Sequence, residues 1–221
     1  MSKLRSPSAQ RFVLPSVAWP TYVRMLRLLA DRPGVRLTYD RGTLELMTLS
    51  HEHENQSYLL ARLVDALTEE LNLPVKGGRS TTFRRRQKQR GLEPDNCWWI
   101  VSEPLVRGTT KIDLRRDPPP DLALEIDITP SSLNRMAIYA ALRVPEVWRW
   151  DGQSLIGYLL GSDGRYTVST ISRAIPGLTV ADLAQFLSLQ GKMDENAIVR
   201  QVRAWVRQRF PAGGASGQAT P

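Results

Sequence analysis

Asp121, Glu125 and Asp127 fall at odd positions of the stretch Asp121-Leu122-Ala123-Leu124-Glu125-Ile126-Asp127-Ile128. Side chains on a strand alternate between its faces. As a strand, the stretch sends Leu122, Leu124, Ile126 and Ile128 one way, and the three acids with Ala123 the other. A row of carboxylates on a segment apolar enough for burial is costly unless offset, and a divalent cation is the usual offset. The plainer reading is an amphipathic edge strand with a solvated acidic face. Strand spacing divides the row. Positions two apart lie roughly 6.6 Å from one another, so Glu125 and Asp127 can bracket one ion. Asp121, roughly 13 Å from Glu125, cannot join them without a bend. Asp95, preceded by Pro94, lies in the β-rich run before this one. If the two strands pair, it stands about 4.8 Å away and makes a better third ligand. The ranking is therefore Glu125 and Asp95, then Asp127, then Asp121.

Two other clusters bear chemistry. In His51-Glu52-His53-Glu54 the histidines are two apart, whereas sharing a metal on a helix needs three or four. A histidine metal site is therefore disfavoured, and Glu54 at the helix start is the residue placed to reach a neighbouring site. Arg84, Arg85, Arg86, Lys88 and Arg90 make a basic connector that suits phosphates as well as it suits a solvated hairpin tip.

The elements that must position these residues follow from patterning. Trp19–Leu29 has helical periodicity with Pro20 in its first turn. Val35–Tyr39 and Thr43–Met47 alternate as a hairpin about Asp40-Arg41-Gly42. Ser50–Leu71 is the strongest helix, capped by Ser50, with Leu59, Leu60, Leu63, Val64 and Leu67 as its apolar stripe. Strands are expected at Ser80–Phe83 and Leu92–Ile100, and residues 101–120 form a long connection ending in three prolines. After the acidic strand, Thr129 to Ser132 offer a turn and cap for a helix over Leu133–Leu142, followed by a strand over Val144–Trp150. A hairpin (154–160 and 166–171), a helix over Leu178–Leu189 and an arginine-rich helix over Asp194–Phe210 complete the chain. Trp98, Trp99, Trp148 and Trp150 are expected in the core rather than at an interface. Residues 1–15 read as a flexible lead-in and 211–221 as a disordered tail.

The 221 residues suit one domain over 1–190, with its core at about 50–150, and a C-terminal basic helix and tail over 191–221. No apolar run is long enough to span a membrane. The N-terminus lacks the apolar segment of a secretory signal, and the lone Cys97 excludes an internal disulfide or a cysteine-rich zinc site. A cytoplasmic protein is expected. The net charge of +8 favours a polyanionic partner.

From Ser50 to Trp150 the elements run helix, strand, strand, strand, helix, strand. That αβββαβ order, with Pro-Asp on one strand and Glu-x-x on the next, resembles the PD-(D/E)XK restriction-endonuclease-like core, an α/β (α+β) fold with a central mixed sheet flanked by helices. More closely, several segments resemble the Uma-type restriction-endonuclease family. They are His53-Glu54, Ser80-Thr81-Thr82-Phe83, Glu93-Pro94-Asp95, Pro120 to Thr129, Ser131-Ser132-Leu133-Asn134-Arg135, and Ile138 to Trp148. The resemblance covers about Trp19 to Leu189. It implies a metal-dependent endonuclease that hydrolyses DNA phosphodiester bonds, with Mg²⁺ (or Mn²⁺) on Asp95, Glu125 and Asp127. The lysine usual two residues after the glutamate is here Asp127. The family often carries a lysine four residues before a tyrosine, and counting back from Tyr139 gives Arg135. Arginine can stabilise transition-state charge but stays protonated and cannot act as a base. Glu54 and Asp121 would support the site, the 84–90 cations would follow the DNA backbone, and a homodimer would suit double-strand cutting. The substitution at the lysine position equally admits a catalytically weak or inactive nuclease fold that binds nucleic acid.

Overall fold

A computed structural model of the chain describes residues 10–32, 34–128 and 131–211. The expected lead-in at 1–9, the turn residues Thr129 and Pro130, and the expected tail at 212–221 lie outside the described residues. The strands are β1 (Arg11–Leu14), β2 (Val35–Asp40), β3 (Thr43–Thr48), β4 (Lys76–Gly77), β5 (Phe83–Arg85), β6 (Arg90–Leu92), β7 (Asn96–Trp99), β8 (Leu122–Ile126), β9 (Glu146–Trp150), β10 (Leu155–Leu160) and β11 (Tyr166–Ser169). The helices are α1 (Trp19–Leu28), α2 (His51–Glu70), α3 (Glu103–Val106), α4 (Arg135–Leu142), α5 (Ala184–Leu187) and α6 (Glu195–Arg209).

The strands form two sheets. One is five-stranded and antiparallel, ordered β1-β3-β2-β6-β5. The other is six-stranded and mixed, ordered β11-β10-β9-β8-β7-β4. Only β8 and β9 run parallel in it, as their connection through α4 requires, because a parallel pair needs a crossover. This is the expected α+β class, with a second sheet that the sequence reading did not foresee. The mixed sheet is covered on both sides. Leu122, Leu124, Ile126, Trp148 and Trp150 pack with Leu60, Leu63 and Leu67 of α2 and with Ile198, Val202 and Val206 of α6. On the opposite face Cys97, Trp99, Ala123 and Val147 pack with Ile138, Tyr139 and Leu142 of α4. Every residue of β8 is buried, so the reading as an edge strand with a solvated acidic face falls. Trp98, Trp99, Trp148 and Trp150 are all core.

α1 closes the five-stranded sheet through Tyr22, whose ring stacks on Tyr39 at 4.7 Å. The β2–β3 turn places Arg41 and Gly42 both at positive φ, the two-residue hairpin geometry that the Asp-Arg-Gly sequence invites.

Several expectations are corrected. Residues 11–14 are not a loose lead-in but pair with β3 from Arg11↔Met47 to Leu14↔Leu44. The strand expected at Ser80–Phe83 is shifted to β5 and belongs to the five-stranded sheet, paired with β6. The strand of the mixed sheet at that stage of the chain is instead the two-residue β4. The run Leu92–Ile100 is not one strand. Pro94 lacks an N–H to donate, and there the chain leaves β6 in one sheet and enters β7 in the other. The expected helix at Leu178–Leu189 is a 3₁₀ turn over Val180–Leu183 followed by the single turn α5.

Candidate active site

The centre of the site is a cross-strand pair. β7 and β8 are antiparallel with Asn96 opposite Leu124, and one step further along that register sets Asp95 against Glu125. The Asp95 N–H donates to the Leu124 carbonyl (3.1 Å), and the Ile126 N–H donates to Asp95 Oδ2 (2.8 Å). Both carboxylates are buried, their side chains only 5–6% exposed.

A guanidinium and an imidazole face them. Arg135, in the first turn of α4, places Nη2 2.7 Å from Glu125 Oε1 and donates also to the Glu93 carbonyl (2.9 Å) and, through Nη1, to Thr38 Oγ1 (2.6 Å). The Tyr139 hydroxyl, one turn along, donates to the same Glu125 oxygen. His53, in the first turn of α2, sets Nε2 3.2 Å from Asp95 Oδ2, while its Nδ1 is buried without a hydrogen-bond partner. The Nε2 contact is too oblique for a good hydrogen bond, so we read it as an electrostatic contact.

These surroundings drive the two acids apart. Burial pushes the Glu125 carboxyl up to about 7; Arg135 opposes that rise and the charge of Asp95 reinforces it. Burial also disfavours charge on Asp95, but His53, Arg135 and the Ile126 N–H together outweigh it and hold this carboxyl below the usual range. For His53 burial lowers the pKa, and the charges of Asp95, Glu125 and Glu54 together lift it above the ordinary value.

The remaining expected residues stand apart. Asp127 Oδ2 accepts from Arg149, whose Nε lies 2.7 Å away and whose strand position is opposite Glu125. Among the described residues no three His, Cys, Asp or Glu side chains gather as a metal site, so the trio Asp95, Glu125 and Asp127 is not preassembled. Asp121, at the far end of β8, accepts from the N–H of Ile100 and from the N–H and hydroxyl of Ser102; it shapes the turn after β7. Glu54 is exposed and reaches the centre only as an electrostatic neighbour of His53. In the basic connector, Arg90 turns inward to Asp40 (2.8 Å) and the Ala137 carbonyl (3.0 Å). Arg84, Arg85 and Arg86 line a cavity of about 1530 Å³ that Lys88 and Arg90 do not reach. That cavity does not include Asp95 or Glu125. Paired buried acids with split pKa values, rather than cavity size, mark the carboxylate pair as the candidate for acid–base or metal chemistry.

His53 and Tyr139 are the residues that sequence reasoning passed over. His53 was measured against His51 rather than against a distant carboxylate. Its signal was the helical spacing His53, Ser57, Leu60, Val64, which continues the buried face of α2.

A divalent cation fits the pair in one respect that geometry supplies. Asp95 Oδ1 and Glu125 Oε2 make no hydrogen bond to any described residue, although the other oxygen of each carboxylate is engaged. Two hard oxygen donors match Mg²⁺ or Mn²⁺, which take one or two carboxylates and fill the remaining positions with water and substrate oxygens.

No curated protein matches the chain. A solved structure from Anabaena variabilis, described as a putative nuclease belonging to DUF820, is similar at 12% identity and a TM-score of 0.42. The match covers 77% of this chain and 90% of that one. The family model Uma2, described as putative restriction endonuclease, matches residues 19–190, and the chain belongs to that family.

Proposed function

We propose that the protein is a metal-dependent endonuclease that hydrolyses phosphodiester bonds in DNA, with Asp95 and Glu125 as the ligands of Mg²⁺ or Mn²⁺. The observation that supports this reading is the buried cross-strand pair with one oxygen on each acid that no described residue engages. When bound, the cation supplies polarisation of the scissile phosphate and a lowered pKa for its water. The protein's own residues supply position and charge. The Ile126 N–H and His53 fix Asp95 from one side. Arg135 and Tyr139 hold Oε1 of Glu125, so that its other oxygen is left for a ligand. Arg135 keeps a permanent positive charge beside the reacting centre but cannot accept a proton. Without a cation, burial lifts the Glu125 carboxyl to about 7, so a proton competes with the metal for this ligand. Arg149, paired with Asp127 and 38% exposed, is a cation beside the pair that a phosphate could recruit.

The test is nicking of supercoiled plasmid in Mg²⁺ or Mn²⁺ against EDTA. Asp95→Asn and Glu125→Gln are each expected to lower the rate by about 100-fold or more, the scale of losing one electrostatic contributor to a transition state. Clean wild-type protein that cuts no DNA in either metal overturns the proposal.

One observation favours a second reading, a nuclease fold that binds nucleic acid without turnover. Arg135 stands in for the lysine, and its guanidinium is spent on Glu125, Glu93 and Thr38. Calorimetric titration with Mn²⁺ separates the two. The endonuclease shows a binding signal that Asp95→Asn abolishes, and the binding module shows none.

A further inference from the structure

The cavity flanked by α1, β5 and the loop 109–116 is strongly one-signed. Among the described residues its lining holds eight lysines or arginines and one acid, Asp113. Some of those cations are already employed. Lys76 Nζ donates to carbonyls of the 106–109 segment, including Val106 at 2.6 Å, and Arg115 is paired with Asp113. Arg27, Arg84, Arg86 and Lys111 are exposed and, among the described residues, have no carboxylate partner. They come from three separate segments and face one cavity. Arg85 stands among them with its Nε buried and unpartnered; burial and the nearby charge of Arg143 make its cationic form harder to hold. Such a set is stabilised by an anion. Its span across a cavity of about 1530 Å³ calls for a polyanion rather than a lone phosphate.

One end of the cavity is aromatic. Trp19 lines it and also a smaller cavity of about 500 Å³, which shares Arg27 and Arg86 and adds Arg24. The indole is half-buried and braced edge-on by Tyr22 at 5.2 Å and Tyr39 at 5.5 Å. A fixed aromatic face among cations suits a nucleobase flanked by phosphates.

We infer that this cleft is a binding track for single-stranded nucleic acid, with phosphates on Arg27, Arg84, Arg86 and Lys111 and a base against Trp19. The inference rests on the nuclease reading for the choice of nucleic acid as the polyanion. A duplex keeps its bases stacked inside and cannot offer one to Trp19. The wall of the track is joined to the carboxylate pair: Thr82 donates to the Glu93 side chain at 2.7 Å, and the Glu93 carbonyl receives Arg135. Thr82 in the wall of the track is thus separated by one residue, Glu93, from the Arg135 that holds Glu125.

The test is fluorescence anisotropy of labelled oligo-dT, and of a duplex of equal length, with the full chain in EDTA. Wild type is expected to bind the single strand at least tenfold more tightly than the duplex. Arg27→Glu/Arg84→Glu/Arg86→Glu is expected to weaken single-strand binding at least tenfold and to flatten the log–log salt slope by about 2, as for three lost phosphate contacts. Lys192→Glu/Arg200→Glu/Arg209→Glu, an equal charge change on and before α6, should leave both unchanged. Arg84→Glu/Lys111→Glu serves as a second variant should the first fold poorly. Equal weakening by the α6 control, or duplex binding as tight as single-strand binding, overturns the inference. No cleavage enters this readout. A protein that binds through this cleft and never cuts overturns the nuclease proposal alone, and one that cuts with no dependence on the cleft overturns the track alone.

Discussion

Two carboxylates facing each other across β7 and β8 cannot both be comfortable as anions, and the protein divides the strain between them. Asp95 keeps its charge because His53, Arg135 and the Ile126 N–H stand against its burial; Glu125 is lifted toward neutrality despite Arg135. Stability should therefore depend on pH in a particular direction when no divalent cation is present. A raised folded-state pKa means that the folded chain binds a proton the unfolded chain would release. The stabilisation is complete below the unfolded value and is lost as pH rises through the folded one. Both Glu125, moved from 4.5 to about 7, and His53, raised above 6.5, obey that sign. Asp95 has the opposite sign, but its lowered pKa confines the effect to acid pH, below 3.8. In EDTA, Tm is thus expected to fall between pH 6 and pH 8. Mg²⁺ or Mn²⁺ should restore it at pH 8 far more than at pH 6, because the cation competes with the proton on Glu125. Thermal melts across that range check this, and a melting temperature that climbs with pH in EDTA would show the pair to be charged and satisfied without metal.

The five-stranded sheet acts as the brace for α4. Glu45 on β3 accepts from Arg11, from the Ser131 hydroxyl and from both the N–H and hydroxyl of Ser132, pinning the chain just ahead of the helix. Thr38 on β2 receives Arg135, and Asp40 orients Arg90 toward the Ala137 carbonyl. The tightest point of this brace is Gly91 on β6, where a Cβ would lie 2.3 Å from the Tyr22 hydroxyl and 3.1 Å from Arg84 Cβ. Tyr22 is fully buried and stacked on Tyr39, so it has little room to yield. Gly91→Ala is expected to cost about 1–3 kcal/mol, the usual range for overpacking. It should lower the urea midpoint at unchanged m, and a variant as stable as wild type would show that the α1 contact is slack. The brace also marks where sequence reading reached its limit. α2 was legible because Ser50 and a continuous apolar stripe are local signals, and the Asp95–Glu125 pair was legible because strand geometry fixes which acids can meet. β1 and β4 were not, since each owes its place to a distant partner, Met47 to Leu44 for one and Trp98 and Trp99 for the other. The same holds for His53: its partner lies 42 positions away in sequence, beyond any helix periodicity. Asp121, ranked last on strand spacing, is half-buried and accepts the N–H groups of the turn after β7, a local role that the row of acids alone does not reveal.

At the scale of the whole molecule, the family match ends at residue 190, yet the core does not. α6 lays Ile198, Val202 and Val206, all fully buried, against α2 and the mixed sheet, with Trp205 packed edge-on to Phe186 at 5.6 Å. Arg62 meets Glu195, and Arg203 and Arg207 meet Glu70, across the same helix pair. Those ion pairs are partly solvent-exposed at the margin of the helix pair and contribute little by themselves. The apolar contacts decide the matter. Each buried aliphatic side chain is worth about 1.5–3 kcal/mol, and three of them rival a substantial part of the 5–15 kcal/mol that holds a typical domain folded. α2 also carries His53, so loosening its outer face disturbs the helix that sets the charge on Asp95. A chain truncated after Gln190 is therefore expected to be aggregation-prone or to melt well below the full chain. In the intact protein, limited proteolysis should spare the segment between Glu195 and Arg209. A truncated chain that is monomeric, melts at the full-length temperature and keeps any metal-dependent nicking would show α6 to be an appendage, and the nuclease core to be complete at the family boundary.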